Sequence, residues 1–355
     1  MPVILELLPP TCSPCFKTVQ RPADNAAGPV FTGVYLEMNS FSSSPSDQPH
    51  ADGSSRPGPL SIFVRLLRPR HWVKNLLLVA PFLLAHQLSD TSHLFSLLLG
   101  IISFSLIASL VYVINDLIDL ESDRNHPIKK LRPLAAGQLS RNTGMLVALL
   151  LAAGGIATAT AISTDFVIIM AVYLVGTTVY SCWFKRLVIA DVLMLASFYT
   201  LRILAGGIAA EVEVSEWLLA FSMFLFTSLA FSKRHAELSR LAGDDPQNKA
   251  LPAAGRGYRV ADLKMIEVMG PSSGYLSVLV FTLYINREGI GQLYTYTWPL
   301  WTIALLLMYW ISRLWLLARR GELAEDPVVF AVTDGVSLLV GLLVASLAVI
   351  AAAPW

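Results

Sequence analysis

Residues 93–127 read HLFSLLLGIISFSLIASLVYVINDLIDLESDRNHP. No charge interrupts the stretch from Leu94 to Ile114, and then Asp116, Asp119, Glu121 and Asp123 arrive within eight positions. An apolar run of that length is what a helix needs to cross a hydrocarbon core of ~30 Å at ~1.5 Å rise per residue. The sequence therefore predicts a membrane-spanning helix that ends in a cluster of carboxylates at the membrane surface.

The rest of the chain has the same character. Mean hydropathy is +0.60, with 55% hydrophobic and only 14% charged residues, against about 25% charged in ordinary soluble domains. From Trp72 onward, apolar runs alternate with short polar connectors. Nine helices are expected, over about 72–88, 93–115, 143–162, 166–184, 187–210, 215–233, 269–286, 296–317 and 328–353. With nine crossings, 24 of the 26 Lys and Arg residues fall on one side, Arg202 sits inside a span and Arg287 alone lies opposite. Because basic residues are retained in the cytoplasm, the expectation is an all-α multi-pass protein of the plasma membrane. Its N-terminus and the long connectors 116–142 and 234–268 would be cytoplasmic, and its C-terminus outside.

Residues 1–60 are rich in Pro, Ser and Gly and are expected to form a disordered tail ahead of one integral domain at 61–355. The apolar start Met1–Leu8 lacks the basic residues and length of a signal peptide. Cys12-Ser-Pro-Cys15 has no further ligands to make a zinc site and no βαβ context for redox chemistry, and Cys182 lies in an apolar run. A net charge of +1 argues against nucleic acid as a partner, so an anionic substrate has to be met by local clusters.

The carboxylates supply one such cluster. On a continued helix Asn115, Asp119 and Asp123 fall at i, i+4 and i+8, with Asp116 on an adjoining edge. Like charges on one face repel unless a cation neutralises them, and hard oxygen ligands suit Mg²⁺ completed by phosphate oxygens. Lys129, Lys130 and Arg132 follow at once, either to grip phosphate or as ordinary cytoplasmic anchors. Lys74, Asn75, Lys185 and Asp191 lie near helix ends on the same side. Lys185 and Asp191 are site residues or a surface ion pair. Arg202, within a span, either bonds backbone carbonyls or contacts substrate, and Asp334 is a ligand or an Arg partner on the same argument.

The run N-D-x-x-D-x-x-x-D-x-x-x-H-P-x-K-x-x-R-P-x-A-x-G, residues 115–137 without a gap, resembles the UbiA superfamily of intramembrane transferases. Within it, the resemblance is nearest to the decaprenyl-phosphate phosphoribosyltransferases. It extends through Arg68-Pro-Arg-His-Trp-Val-Lys74-Asn75, Tyr180 to Lys185 with Asp191, Leu201 to Gly207, Ser232 to Leu238, and Asp326 to Phe330 with Asp334. Residues 65 to about 340 are covered.

The aromatic prenyltransferases of the superfamily carry a second D-x-x-D-type motif after the sixth helix. This chain has Lys233-Arg234-His235-x-Glu237 there, and Asp244-Asp245 nearby at the wrong spacing. Added positive charge suits a substrate with more phosphate. The resemblance implies Mg²⁺ on Asp116, Asp119 and Asp123, with substrate contacts from Lys74, Asn75, Asn115, Lys129, Arg132, Tyr180, Lys185, Asp191, Lys233, Arg234 and Glu237. The implied reaction moves 5-phosphoribose from phosphoribosyl pyrophosphate to a polyprenyl phosphate, in support of arabinose supply for cell-envelope glycans. A homo-oligomer is admitted as a partner. Transfer of a prenyl chain to an aromatic acceptor is the main rival; a transporter gives the carboxylates no task.

Overall fold

The computed structural model describes residues 58–85, 91–125, 129–243, 256–323 and 326–352. The expected tail lies outside them apart from 58–60, as do Cys12, Cys15, His126, Pro127, Asp244 and Asp245. The first described helix, α1 (Pro59–Leu67), begins at Pro59. Pro at the first helical position costs no hydrogen bond there, since that N–H is unpaired in any helix.

Among the described residues the fold is entirely helical, with no strand. A 3-10 segment, Pro69–Leu78, runs into the short α2 (Val79–Leu84). The helices that follow are α3 (Thr91–Ile118), α4 (Leu120–Asn125), α5 (Arg141–Thr160), α6 (Thr164–Cys182), α7 (Ala190–Ala209) and α8 (Glu216–Ala242). After them come α9 (Leu263–Ile285), α10 (Ile290–Leu293), α11 (Trp298–Arg319), α12 (Pro327–Thr333) and α13 (Gly335–Ala352).

Seven of these, α3, α5, α6, α7, α9, α11 and α13, are long and apolar enough to cross a membrane. The expected count of nine differs at two places. Within the first expected span, residues 72–84 form the 3-10 segment and the six-residue α2. Pro81 contributes no N–H to a helix continued through it, and Lys74 leaves the 3-10 segment far from uniformly apolar. The other is α8, whose apolar stretch is bounded by Glu216 and Lys233. Two further boundaries shift. α9 starts at Leu263, ahead of the expected 269, and residues 327–333 form a separate helix that stops before Asp334.

Helices α3, α5, α6 and α7 share one buried core around Phe104, Phe166, Tyr173 and Phe198, and α7, α8, α9 and α11 share another around Phe226, Ile266, Ile311 and Trp315. Two close approaches fix the geometry. A Cβ on Gly206 of α7 would lie 2.0 Å from the Leu78 carbonyl oxygen, so the 3-10 segment is pressed onto α7. A Cβ on Gly270 of α9 would lie 2.0 Å from the Trp315 ring, so α9 and α11 cross at contact distance, as small residues allow between helices in lipid. α7 runs antiparallel to α8 and α8 to α9. The start of α7, the latter part of α8 and the end of α3 therefore gather their charged residues at one end of the bundle.

Candidate active site

The carboxylates at the end of α3 are held by arginines. Asp116 and Asp123 are both buried, and Arg132 Nη1 reaches Asp116 Oδ1 at 3.1 Å and Asp123 Oδ2 at 2.5 Å. Arg68 Nη2 donates to both Asp116 oxygens, at 2.7 and 2.9 Å. Arg68 itself has φ +53°, in the turn between α1 and the 3-10 segment. The face used differs from the expected one: Asp116 and Asp123, seven residues and two turns apart, converge on Arg132, while Asp119 is exposed at the break between α3 and α4. Helical bonding nonetheless continues across the break, with Asp119 N–H on the Asn115 carbonyl and Asp123 N–H on that of Asp119.

Among the described residues no three His, Cys, Asp or Glu side chains are grouped as a metal cage. Magnesium rarely needs one, because one or two carboxylates plus substrate phosphates and waters complete its shell. One observation fits a cation here. Asp123 Oδ1 is buried without a hydrogen-bond partner, its nearest cation being Lys129 Nζ at 3.9 Å. A buried carboxylate oxygen left this way is costly unless something else meets it. Beside the pair opens a cavity of about 370 Å³ lined by Arg65, Arg68, Lys129, Leu131, Arg132 and Pro133, strongly basic and suited to phosphate.

A second cluster joins the two ends of the chain. Lys74 ion-pairs with Asp326, whose Oδ1 also caps α12 through Val328 N–H at 3.1 Å. Lys74 lies over the Tyr199 ring at 5.6 Å and Arg68 over the Tyr112 ring at 4.9 Å. Burial raises the Asp326 carboxyl, but Lys74 and Lys233 outweigh it and hold the group below its ordinary range.

The third cluster joins the starts of two connectors. Asp191 and Arg234 are fully buried, with Arg234 Nε 2.5 Å from Asp191 Oδ2, and Arg234 also pairs with Glu237. Arg256 bridges the same carboxylates, Nη1 at 3.1 Å from Asp191 Oδ1 and Nε at 3.2 Å from Glu237 Oε2. Tyr180 donates to Asp191 Oδ1 at 2.7 Å. Lys185, on the 3-10 turn Phe184–Arg186, makes no ion pair with Asp191, whose partners are the two arginines. The Tyr258 hydroxyl accepts the Ile189 N–H at 2.8 Å, which braces Ile189 in a φ of +68° that a β-branched residue rarely adopts.

Arg202 and Asn75 sit deeper. Arg202 donates to Asn75 Oδ1 at 3.0 Å, the Phe198 carbonyl at 2.7 Å and the Tyr173 hydroxyl at 2.9 Å, and Asn75 Nδ2 donates to Ser105 at 3.0 Å. Both ends of the fully buried Asn75 amide are thus engaged inside the bundle. Asp334 is an arginine partner, bound by Arg313 at 2.7 and 3.0 Å and capping Ser337 N–H at 2.8 Å. Four members of these clusters were not singled out from sequence as site residues: Arg68, Asp326, Arg256 and Tyr258. Arg68 and Asp326 lie in stretches that carry the family resemblance. Arg256, set before Gly257 and Tyr258, offered only its place in a connector.

These side chains interleave basic residues and carboxylates at one end of an apolar helical bundle. The chain belongs to the UbiA prenyltransferase family, whose model matches residues 76–335. It is 34% identical over 327 residues to protein y4nM of Sinorhizobium fredii, covering 92% of this chain but 63% of that relative's length. It is 35% identical over 281 residues to nodulation protein NoeC of Azorhizobium caulinodans (79% of this chain, 90% of the relative). It is 30% identical over 285 residues to the decaprenyl-phosphate phosphoribosyltransferase of Mycobacterium tuberculosis (79% and 90%). The fold is similar to that of a UbiA homolog from Archaeoglobus fulgidus bound to GPP and Mg²⁺, at TM-score 0.59 and 20% identity, covering 81% of this chain and 99% of that one. It is also similar to a digeranylgeranylglyceryl phosphate synthase, at TM-score 0.57 and 16% identity (82% and 98%).

Proposed function

We propose that this protein is a Mg²⁺-dependent phosphoribosyltransferase that moves 5-phosphoribose from phosphoribosyl pyrophosphate to a polyprenyl phosphate and releases pyrophosphate. The observation that carries the reading is the third cluster. Where a prenyltransferase of the family would place a second acidic motif, this chain has Lys233 and Arg234 in sequence, and the carboxylates present, Asp191 and Glu237, are paired with Arg234 and Arg256 and so are not free to hold a second cation. The relatives named decaprenyl-phosphate phosphoribosyltransferase support the same substrates.

In this reading Asp116 and Asp123, with Asp119 nearby, would hold magnesium, which would supply charge neutralisation for a pyrophosphate group. Arg68, Arg132 and Lys129 surround the basic cavity and bind the remaining phosphate oxygens. Lys74 and Lys233 flank Asp326 and offer charge to the 5-phosphate or the lipid phosphate. Asn75 acts through position, holding the 3-10 segment of Lys74 against Arg202. The attacking lipid phosphate is ionised at neutral pH, so no general base is required. C1 of the ribose gains positive character as its bond to pyrophosphate breaks, and the anionic acceptor closes on it.

Topologically we place the 3-10 segment with α2, and α8, as the two further crossings. That puts the clusters on the cytoplasmic face of the plasma membrane and the C-terminus outside. The second reading, prenyl transfer to an aromatic acceptor, is favoured by the solved UbiA homologs bound to GPP and DMAPP. One assay separates them: purified protein, Mg²⁺ and polyprenyl phosphate with ribose-labelled phosphoribosyl pyrophosphate. Label entering the organic phase supports the proposal. Turnover of only a prenyl diphosphate with an aromatic acceptor rejects it.

A further inference from the structure

At the end of the bundle opposite the carboxylates, where α8 begins and α9 ends, lies a second cavity of about 400 Å³. Its inner wall is apolar, with Leu225, Phe281, Leu307 and Val344 contributed by α8, α9, α11 and α13. Along α8 it extends from Ser215 to Leu225. At ~1.5 Å per residue that is a slot about 15 Å deep, half of a ~30 Å hydrocarbon core. Exposed Trp298, Trp301 and Tyr296 stand at the same end, where aromatic residues mark a membrane–water interface.

Polar groups at the mouth of the slot are Glu213, Ser215, Tyr284, Tyr294 and one cation, Arg287, which is half-buried. Its guanidinium rests on the Tyr284 ring at 5.1 Å, and its Nε is buried without a hydrogen-bond partner. Glu213, also on the lining, is exposed and is not within ion-pair distance of it. A buried guanidinium donor in an apolar wall is costly unless a ligand meets it, and the guanidinium fork matches phosphate. A neutral lipid would leave Arg287 unanswered. So would the tail of a lipid whose phosphate sits among the carboxylates at the other end. An amphiphile that enters from this side, chain first, answers both the slot and the cation.

We propose that this cavity is a binding site for an anionic phospholipid of the adjoining leaflet, with one acyl chain in the slot and the phosphate on Arg287. The proposal does not rest on the transferase reading. The test uses the full chain in nanodiscs of equal phosphatidylglycerol and phosphatidylcholine, followed by native mass spectrometry and quantification of retained lipid. About one phosphatidylglycerol per chain is expected to stay bound. Arg287→Gln lowers that retention at least tenfold, Arg287→Lys keeps most of it, and Leu225→Trp, which fills the slot, abolishes it. Thermal unfolding of each variant identifies any that has lost its fold; the rim variants at Arg287 keep the test decisive if Leu225→Trp does. Equal retention of both lipids with no effect of Arg287→Gln overturns the proposal. So does displacement of the bound lipid by polyprenyl phosphate with the same affinity in wild type and Arg287→Gln.

Discussion

Arg132→Gln is expected to move two affinities in opposite directions. Arg132 Nη1 is 3.1 Å from Asp116 Oδ1 and 2.5 Å from Asp123 Oδ2, so it occupies oxygens that a divalent cation would use while lining the basic cavity. With metal and diphosphate both present, the guanidinium can pass from carboxylate to phosphate as the cation takes its place. With metal alone, it competes. A hydrogen bond to a charged group is worth about 1.5–3 kcal/mol, and ~1.4 kcal/mol is tenfold in affinity. Removing the guanidinium should therefore weaken pyrophosphate binding about 10- to 100-fold and tighten Mn²⁺ binding in the absence of diphosphate several-fold. Asp116 retains both bonds from Arg68, which limits collapse of the pair. The assay is a Mn²⁺ titration followed by electron paramagnetic resonance, with and without pyrophosphate, on wild type and variant in detergent. Parallel loss of both affinities, or no change in the metal titration, would refute the exchange.

Four further outcomes follow from particular contacts. Arg202→Leu strips Asn75, Tyr173 and the Phe198 carbonyl of their shared donor and should cost about 3–5 kcal/mol of stability, read as a lower unfolding temperature. Lys74→Met leaves Asp326 buried without the lysine that holds its carboxyl down; turnover should fall at least tenfold, and Lys74→Met paired with Asp326→Asn should unfold later than Lys74→Met alone. Gly206→Val drives a side chain into the Leu78 carbonyl and should destabilise by about 1–3 kcal/mol or more, again read by thermal unfolding. At Asp326 burial raises the carboxyl, but Lys74 and Lys233 hold it below the ordinary range, so the unfolded chain binds the extra proton as pH falls. Stability should fall as pH drops through the ordinary carboxylate range, and Asp326→Asn should flatten that slope in the unfolding temperature; an unchanged slope sinks that reading.

The bundle and its charged end were legible because lipid imposes a simple grammar: long uncharged runs, short connectors and charge at the ends. That grammar says less about the form of a segment that is short or charged. Residues 72–88 read as a span by hydropathy, and within it residues 72–84 are a 3-10 segment and a short helix, with Leu78 pressed onto Gly206. Local spacing identified the acidic residues and the nearby Arg132, but not that Asp116 and Asp123 converge on that arginine while Asp119 stays exposed. Other contacts have no local signature. Lys74 with Asp326 spans 252 positions and Arg256 with Asp191 spans 65, so these pairings are fixed by the packing of segments distant in sequence. The partner of Asp334 was open from sequence and is Arg313, 21 positions back on α11.

The central claim is that the diphosphate handled here belongs to an activated ribose and that the lipid is the acceptor. Pyrophosphate release by the purified protein tests it most directly, measured with each donor alone and with each donor–acceptor pair. The account predicts release from phosphoribosyl pyrophosphate only when polyprenyl phosphate and Mg²⁺ are both present, and none after Asp123→Asn in a variant that unfolds at the wild-type temperature. Release from a prenyl diphosphate with an aromatic acceptor, and none from phosphoribosyl pyrophosphate, would contradict it.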